Sequence, residues 1–497
     1  MRDQLAKEGG ADIMLSRRDA IKAGLLAGGA LVMPPRSVRA DDKIAPSPAT
    51  LPFRVPLPIS PILLPTRSDA TADFYEVTMR AAQAQILPGL STTVWGYNGL
   101  FPGPTIMAEA GRLTVVRQRN HLPENMSVHL HGCHTPSASD GFPNDFIRPG
   151  AFKDYSYPND DRASSYWYHD HAMDITGPHI NMGLAAFYII HDAVERSLPL
   201  PTGAQDVPLM ICDRLFNADG SFFYDTFNHD GFLGDTFLVN GAVQPFFQVS
   251  NRKYRFRFLN VSNARWYEFA LSSGQPFIQI GTDGGLLPAP IVRPRFRQAP
   301  AERIDVIIDF SIYPVGTQIV LQSVLQMTSG RKLDGVSLQA PTPIMRFDVV
   351  RTEADTSAIP ATLRPLPVMP ESSAVRTRLF EFQRDRGAWT INGQFFDPNR
   401  VDAAIRLGTT EIWRLKNGGG GWAHPIHLHL SQFLVLDRNG GPIQIGDQGL
   451  KDTLQLEGGD EVRVIGTFKD RVGRYVFHCH NLEHEDMRMM GRFDVEP

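Results

Sequence analysis

The chain reads as all-β, three consecutive β-sandwich or barrel domains, on three observations. Its 497 residues include 43 Gly and 38 Pro, the composition of many short strands joined by tight turns. Long amphipathic helical stretches are scarce outside the N-terminus. One pattern also recurs three times. Asn98-Gly99 with Pro102 leads to Leu113-Thr114-Val115-Val116 and Asn120; Asn240-Gly241 with Pro245 leads to Tyr254-Arg255-Phe256-Arg257-Phe258 and Asn260. The third copy runs from Asn392-Gly393 with Pro398 to Glu411-Ile412-Trp413-Arg414-Leu415 and Asn417. Each copy is a turn, an interval and an alternating strand closed by Asn. The length independently allows about three domains of roughly 150 residues.

In chain order, residues 1–40 stand apart. Ser16-Arg17-Arg18-Asp19 precedes an apolar run through Met33, and Val38-Arg39-Ala40 offers a cleavage site. The run is too short for a stable membrane anchor. Paired arginines before a modest hydrophobic region have the form of a twin-arginine export signal, with a surface amphipathic helix as the competing reading. Export places a mature protein beginning near Asp41 in the periplasm or outside the cell, without a membrane anchor. A Pro-rich lead over 46–65 is followed by strand-like 74–79 and 92–95. Boundaries fall at 192–200, charged and Pro-containing, and at 351–370, rich in Pro, Ala and Thr. The expected domains are 41–192, 193–360 and 361–497.

Composition narrows the partners. A charged fraction of 21% and a net charge of -4 lack the basic excess that nucleic acid or an anionic membrane selects. A monomer acting on small molecules is expected. Only Cys133, Cys212 and Cys479 are present, so a disulfide framework does not hold the fold. Cys133 and Cys212 are expected as buried free thiols, a bridge between them being the alternative in an oxidising compartment.

The chemistry concentrates near the C-terminus. Tyr475-Val476-Phe477-His478-Cys479-His480 reads as a strand, which sends His478 and His480 to one face and Cys479 to the other. One strand can therefore feed two metal centres. Cys479, His484, an upstream histidine and Met489 make the two-imidazole, one-thiolate set with a weak thioether that suits copper better than zinc. His424 supplies the missing imidazole, because the Pro425 turn frees it from its neighbours. Met487 and Met490 compete with Met489, which spacing prefers.

Three further clusters, His129-Leu130-His131, His169-Asp170-His171 and His427-Leu428-His429, bring the paired imidazoles to eight. Residues i and i+2 of an extended strand lie about 6–7 Å apart, suited to two neighbouring metals rather than one. Two pairs lie in the first repeat and two in the third. The expected arrangement is an interface between the terminal domains, with the middle domain spacing them. His121, His134, His179 and His229 lack partners at ligand spacing and read as surface or supporting residues.

With Trp95-Gly96-Tyr97-Asn98-Gly99-Leu100-Phe101-Pro102-Gly103-Pro104, Trp167-Tyr168-His169-Asp170-His171-Ala172-Met173, Gly281-Thr282-Asp283-Gly284-Gly285 and His484-Glu485-Asp486, the chain resembles the three-domain multicopper oxidases. The likeness is greatest to the bacterial spore-coat laccase and bilirubin oxidase branch, from about Phe74 to the C-terminus. The resemblance implies three cupredoxin-like Greek-key domains and four copper ions. It assigns the type 1 copper to His424, Cys479, His484 and Met489, and the type 2 copper to His129 and His427. The type 3 pair takes His131, His169, His171, His429, His478 and His480. Asp140 and Glu485 match the family's proton-supplying acids, the alternative being carboxylates that orient histidines. Asp283 is expected only to shape a turn, and Cys133 stands where a small residue is usual.

The activity implied is one-electron oxidation of phenols, aromatic amines or bilirubin-like compounds, coupled to four-electron reduction of O2 to water. Electrons would enter at Cys479 and pass to His478 and His480. A cuprous oxidase would share every ligand, but such enzymes often carry a methionine-rich insertion, and the 15 Met here are scattered. Copper-dependent nitrite reduction would not need all eight cluster histidines. An exported carrier or structural protein without turnover is the alternative from another class. Substrate choice is expected to lie in loops around His424 and His484, including 327–343.

Overall fold

The computed structural model describes residues 44–497, of which 46–497 form one compact unit. The export signal read at Ser16–Asp19 and Val38–Ala40 lies outside the described residues. Among the described residues no helix is long and apolar enough to cross a membrane.

The chain is mostly β, as the sequence predicts. Every ladder stays within one of three consecutive stretches, and each stretch contributes two large sheets. Within 67–191, Ala72–Ala84 and Leu113–Asn120 head one sheet, while Ile106–Glu109, Ala185–His191, Ser164–Asp170 and Val128–His131 make the other. Within 206–351 an eight-stranded and a five-stranded sheet form, and within 374–496 a six-stranded and a five-stranded one.

The repeated motif explains why the three stretches fold alike. Asn98, Asn240 and Asn392 all have positive φ (56°, 49° and 50°), as does the glycine after each, which only Asn and Gly adopt cheaply. Each Asn side chain accepts a backbone N–H: Thr78 at 2.8 Å, Met210 at 2.8 Å and Glu381 at 2.7 Å. The closing asparagines repeat as well. Asn120, Asn260 and Asn417 each donate from Nδ2 to two carbonyls: Glu124 and Ile147, Arg265 and Gln298, Trp422 and Leu456. In each stretch a strand before the Asn-Gly turn pairs in parallel with the strand that ends in the closing Asn, Ala72 with Leu113, Asp206 with Arg255 and Ala374 with Thr410 beginning the ladders.

Period-2 alternation supplies the cores; Leu113–Asn120 alternates half-buried and buried along its length. The third stretch packs Phe380, Phe382, Trp413 and Phe493 around Phe477, with Phe433 and Phe468 against Trp413 in the same cluster. Tyr475, Phe477 and Cys479 point into this cluster, which leaves His478 and His480 for the opposite face. Cys133 and Cys212 are buried free thiols, as expected.

Candidate metal centre

Gly473–Cys479 lies between His424–Leu428 and Met490–Glu496. The antiparallel register sets Ile426 opposite Cys479 and His427 opposite His478. His424–Leu428 runs as one strand through Pro425, so the turn expected there does not form. His424 and His427 part because a three-residue step along a strand changes face.

On one face, Cys479 Sγ lies 3.4 Å from His424 Nδ1 and 3.5 Å from His484 Nδ1, and the two nitrogens are 3.2 Å apart. All three residues are buried. His484 is presented by the short helix Leu482–Asp486, where the strand ends. Met489 is fully buried in the same apolar cluster as Cys479, and its carbonyl accepts the Cys479 N–H at 3.1 Å. Met490 packs instead with Phe142, Phe396 and Val476, and the Met487 sulfur meets His229. Burial pushes the Cys479 thiol well above its ordinary range, against a hydrogen bond from Asn481. A thiolate here requires a cation.

On the other face, eight histidines from four strand ends converge. His131, His169 and His480 bring ligand atoms within 4.8 Å of one another, as do His171, His429 and His478. His129 and His427 meet at 3.3 Å between their Nε2 atoms, with His131 close enough to join them. That last set contains both members of one i, i+2 pair, nearer than extended-strand spacing suggests. Burial, the largest cause in each case, lowers the pKa of His129, His131, His169, His427 and His429 well below the ordinary range, and that of His480 to about 3. These rings are neutral.

The hydrogen bonding says what such rings fit. A carbonyl only accepts, so His129 donates from Nδ1 to Asp140 O at 2.6 Å, and His427 donates to Asp452 O at 2.9 Å. Each ring then presents a lone pair at Nε2, and these two atoms face each other. Lone pairs at that distance repel unless a cation joins them. His169 likewise donates to Asp170 O at 2.8 Å, leaving a buried Nε2 without a partner, and both nitrogens of His480 have none. The eight imidazoles and the thiolate set both fit metal ions, and imidazole with thiolate is copper's donor chemistry.

Residues 78–195 and 369–497 each match a family model described as multicopper oxidase. A laccase of Bacillus subtilis (strain 168) is 38% identical over 510 residues, covering 88% of this chain and 97% of that protein. The chain belongs to the multicopper oxidase family. A bilirubin oxidase of Albifimbria verrucaria is also 38% identical, over 89% of this chain and 81% of its own. The crystal structure of a laccase from Pediococcus acidilactici Pa5930 superposes with a TM-score of 0.83 at 32% identity, covering 91% of this chain and 95% of that one. The sheets described above are thus those of a multicopper oxidase with cupredoxin-like architecture.

Carboxylates surround the histidines of this multicopper oxidase. Asp140 is fully buried; Oδ2 lies 2.8 Å from His429 Nδ1, and Thr135 donates to Oδ1 at 3.2 Å. Burial pushes its carboxyl up to about 7. Glu485 lies 3.1 Å from His478 Nδ1 and 3.6 Å from His171 Nε2. His179 is a supporting residue, as its spacing suggested: its Nδ1 meets Asp170 at 2.7 Å and its Nε2 meets Glu124 at 3.2 Å. Burial opposes its charge, but these carboxylates raise its pKa to about 9.

Two further expectations differ from the structure. Asp283 does more than shape a turn: it accepts the backbone N–H groups of Arg303, Asp452 and Thr453 and pairs with Lys451 at 2.9 Å. The middle stretch, in turn, does more than space its neighbours. Arg303 reaches from it to hold both oxygens of Asp452, whose Oδ1 lies 3.2 Å from His131 Nε2. Glu302, Arg303, Lys451 and Asp452 carry no motif: they are two adjacent charged pairs at strand ends, buried in the fold, and such pairs in a sequence do not reveal their partners.

Proposed function

We propose that this chain is a laccase-type oxidase, taking single electrons from phenols, aromatic amines or bilirubin-like compounds and delivering four to O2 to make water. The observation that carries the reading is two donor sets on opposite faces of one strand: Cys479 with His424 and His484, and eight imidazoles that include His478 and His480. Four copper ions suit these sets. His424, Cys479, His484 and Met489 would hold the type 1 ion, His129 and His427 the type 2 ion, and the remaining six histidines the type 3 pair. Copper there supplies one-electron couples and a site for O2.

The chain's own residues do the rest. Cys479 joins its two flanking histidines through the backbone, a covalent route between the two sets. Asp140, held beside His429 with a raised pKa, would hold and deliver a proton, and Glu485, which despite its burial His478 and His171 keep below the ordinary glutamate range, would relay protons as the accepting carboxylate. The burial of all eight imidazoles excludes bulk water. We further propose cupredoxin-like domains over 41–192, 193–360 and 361–497, and a monomer exported by the twin-arginine route to the periplasm or beyond. Cell fractionation of an Arg17→Lys/Arg18→Lys variant tests the export route; retention of the variant inside the cell is expected.

Oxygen uptake by the copper-loaded protein, with 2,6-dimethoxyphenol and separately with Cu(I), tests the activity. Uptake with the phenol, abolished in Cys479→Ser, is expected. Uptake with Cu(I) alone would make the protein a cuprous oxidase. No uptake with either at full copper occupancy would sink the oxidase reading in favour of a carrier or structural role.

A further inference from the structure

His424 and His484 are fully buried, so a reductant meets whatever covers them. Two tryptophans do. Trp389 lies against the His484 ring, centroids 3.7 Å apart and planes 32° apart, and Trp422 packs edge-on against Trp389 at 4.6 Å. Trp389 Nε1 donates to His229 O at 2.8 Å, which fixes that ring. The tryptophans are themselves buried, and what covers them is charged.

The Arg331 guanidinium sits 4.5 Å from the Trp422 ring centroid, and that of Arg384 sits 5.2 Å from both Trp389 and Trp422. Arg331 is held from two directions. Its carbonyl accepts the N–H of Ala423, the residue before His424, at 3.0 Å, and its guanidinium donates to Gly420 O at 3.4 Å. An exposed arginine is thereby tied by its backbone to the neighbour of a candidate copper ligand. Among the described residues Arg331 has no ion pair, and Asp334 of the same loop is occupied by the N–H and hydroxyl of Thr328. Arg384 meets Asp230 through Nη1 at 3.3 Å, which leaves the other edge of its fork open.

A guanidinium stacked on an indole loses little freedom when it binds, and its fork matches a carboxylate or sulfonate. We propose that Arg331, assisted by Arg384, selects aromatic reductants that carry an anionic substituent, seating the anion on the guanidinium and the ring beside Trp422. This rests on the oxidase reading above and adds a charge preference to it. Arg331 and Arg384 are positioning residues for the substrate, and a neutral phenol gains nothing from them.

The test compares syringate with 2,6-dimethoxyphenol, which differ by a carboxylate, on the copper-loaded wild type and on Arg331→Gln, Arg384→Gln and Arg331→Lys. Removing a partly exposed pair should raise KM for syringate about three- to fivefold with kcat held, leave KM for dimethoxyphenol within about twofold, and be partly restored by lysine. Raising the salt should shrink the syringate effect in the wild type. Tryptophan quenching by syringate gives its Kd without turnover, and the same weakening is expected there. Equal changes for both phenols, or none for syringate, would overturn the charge preference and leave the oxidase reading intact. If the wild type oxidises neither phenol, the oxidase reading fails, and an unchanged Kd in Arg331→Gln would then defeat this proposal separately.

Discussion

Arg303 offers the sharpest test of how the middle stretch supports the histidine cluster. Its side chain is fully buried and spends its donors on both oxygens of Asp452, Ser165 O at 3.0 Å, Ala301 O at 3.1 Å and Asp283 O at 3.2 Å. Arg303→Met removes the cation and leaves the Asp452 carboxylate buried, with Gln432 and Thr453 as remaining donors. Breaking one side of a buried pair costs about 3–5 kcal/mol. Urea unfolding of the copper-loaded protein, followed by tryptophan fluorescence, should show a loss of that size. Arg303→Lys keeps charge without the fork and should fall between the two. Adding Asp452→Leu to Arg303→Met removes the stranded charge, so the double variant should lose less than the sum of the singles, by at least about 1 kcal/mol. A single-variant loss below about 1 kcal/mol, or strict additivity, would refute the reasoning.

Phe477→Ala empties the centre of the third core, where its ring lies 4.3 Å from Phe380 and 5.4 Å from Trp413; a cost of about 3–5 kcal/mol is expected by the same urea assay. Glu195 is buried between Arg255 at 2.6 Å, Arg257 at 3.1 Å and His191. Burial raises its pKa, but Arg255, His191 and Arg257 together hold it below the ordinary glutamate range. Its contribution is therefore complete above the unfolded-state value and lost as pH falls through the folded-state one. The stability gap between wild type and Glu195→Gln should narrow between about pH 7 and pH 3. Asp140→Asn should slow reoxidation by O2 about a hundredfold while anaerobic reduction by dimethoxyphenol keeps its rate, the two half-reactions being followed by stopped flow. Removing copper with a chelator should lower the melting temperature reversibly, because ligand held by the folded state alone stabilises it, by about 4 kcal/mol at a thousandfold excess over Kd.

Local periodicity carries far in this protein. The Asn-Gly turns and closing asparagines repeat because each solves the same backbone problem within a few residues, so three similar units were readable without partners. Cys479 and its flanking histidines were readable for a similar reason: a strand alternates, and the residue types name the chemistry. Where the sequence misled, a longer-range term won. Pro425 looked like a turn, yet the strand continues because Ile426 and His427 pair with Cys479 and His478. Asp283 looked like a turn residue, yet it binds backbone and Lys451 far along the chain.

The sequence by itself determined the all-β class, the threefold unit and the set of imidazole and thiolate side chains, since each depends on residue type and spacing of a few positions. Only the tertiary structure decided which histidines face one another, that Arg303 braces Asp452 beside them, and that Trp389, Trp422, Arg331 and Arg384 cover His424 and His484. Those contacts join residues far apart in the chain, and their partners are chosen by strand register and by the need to pair every buried charge, neither of which leaves a local pattern.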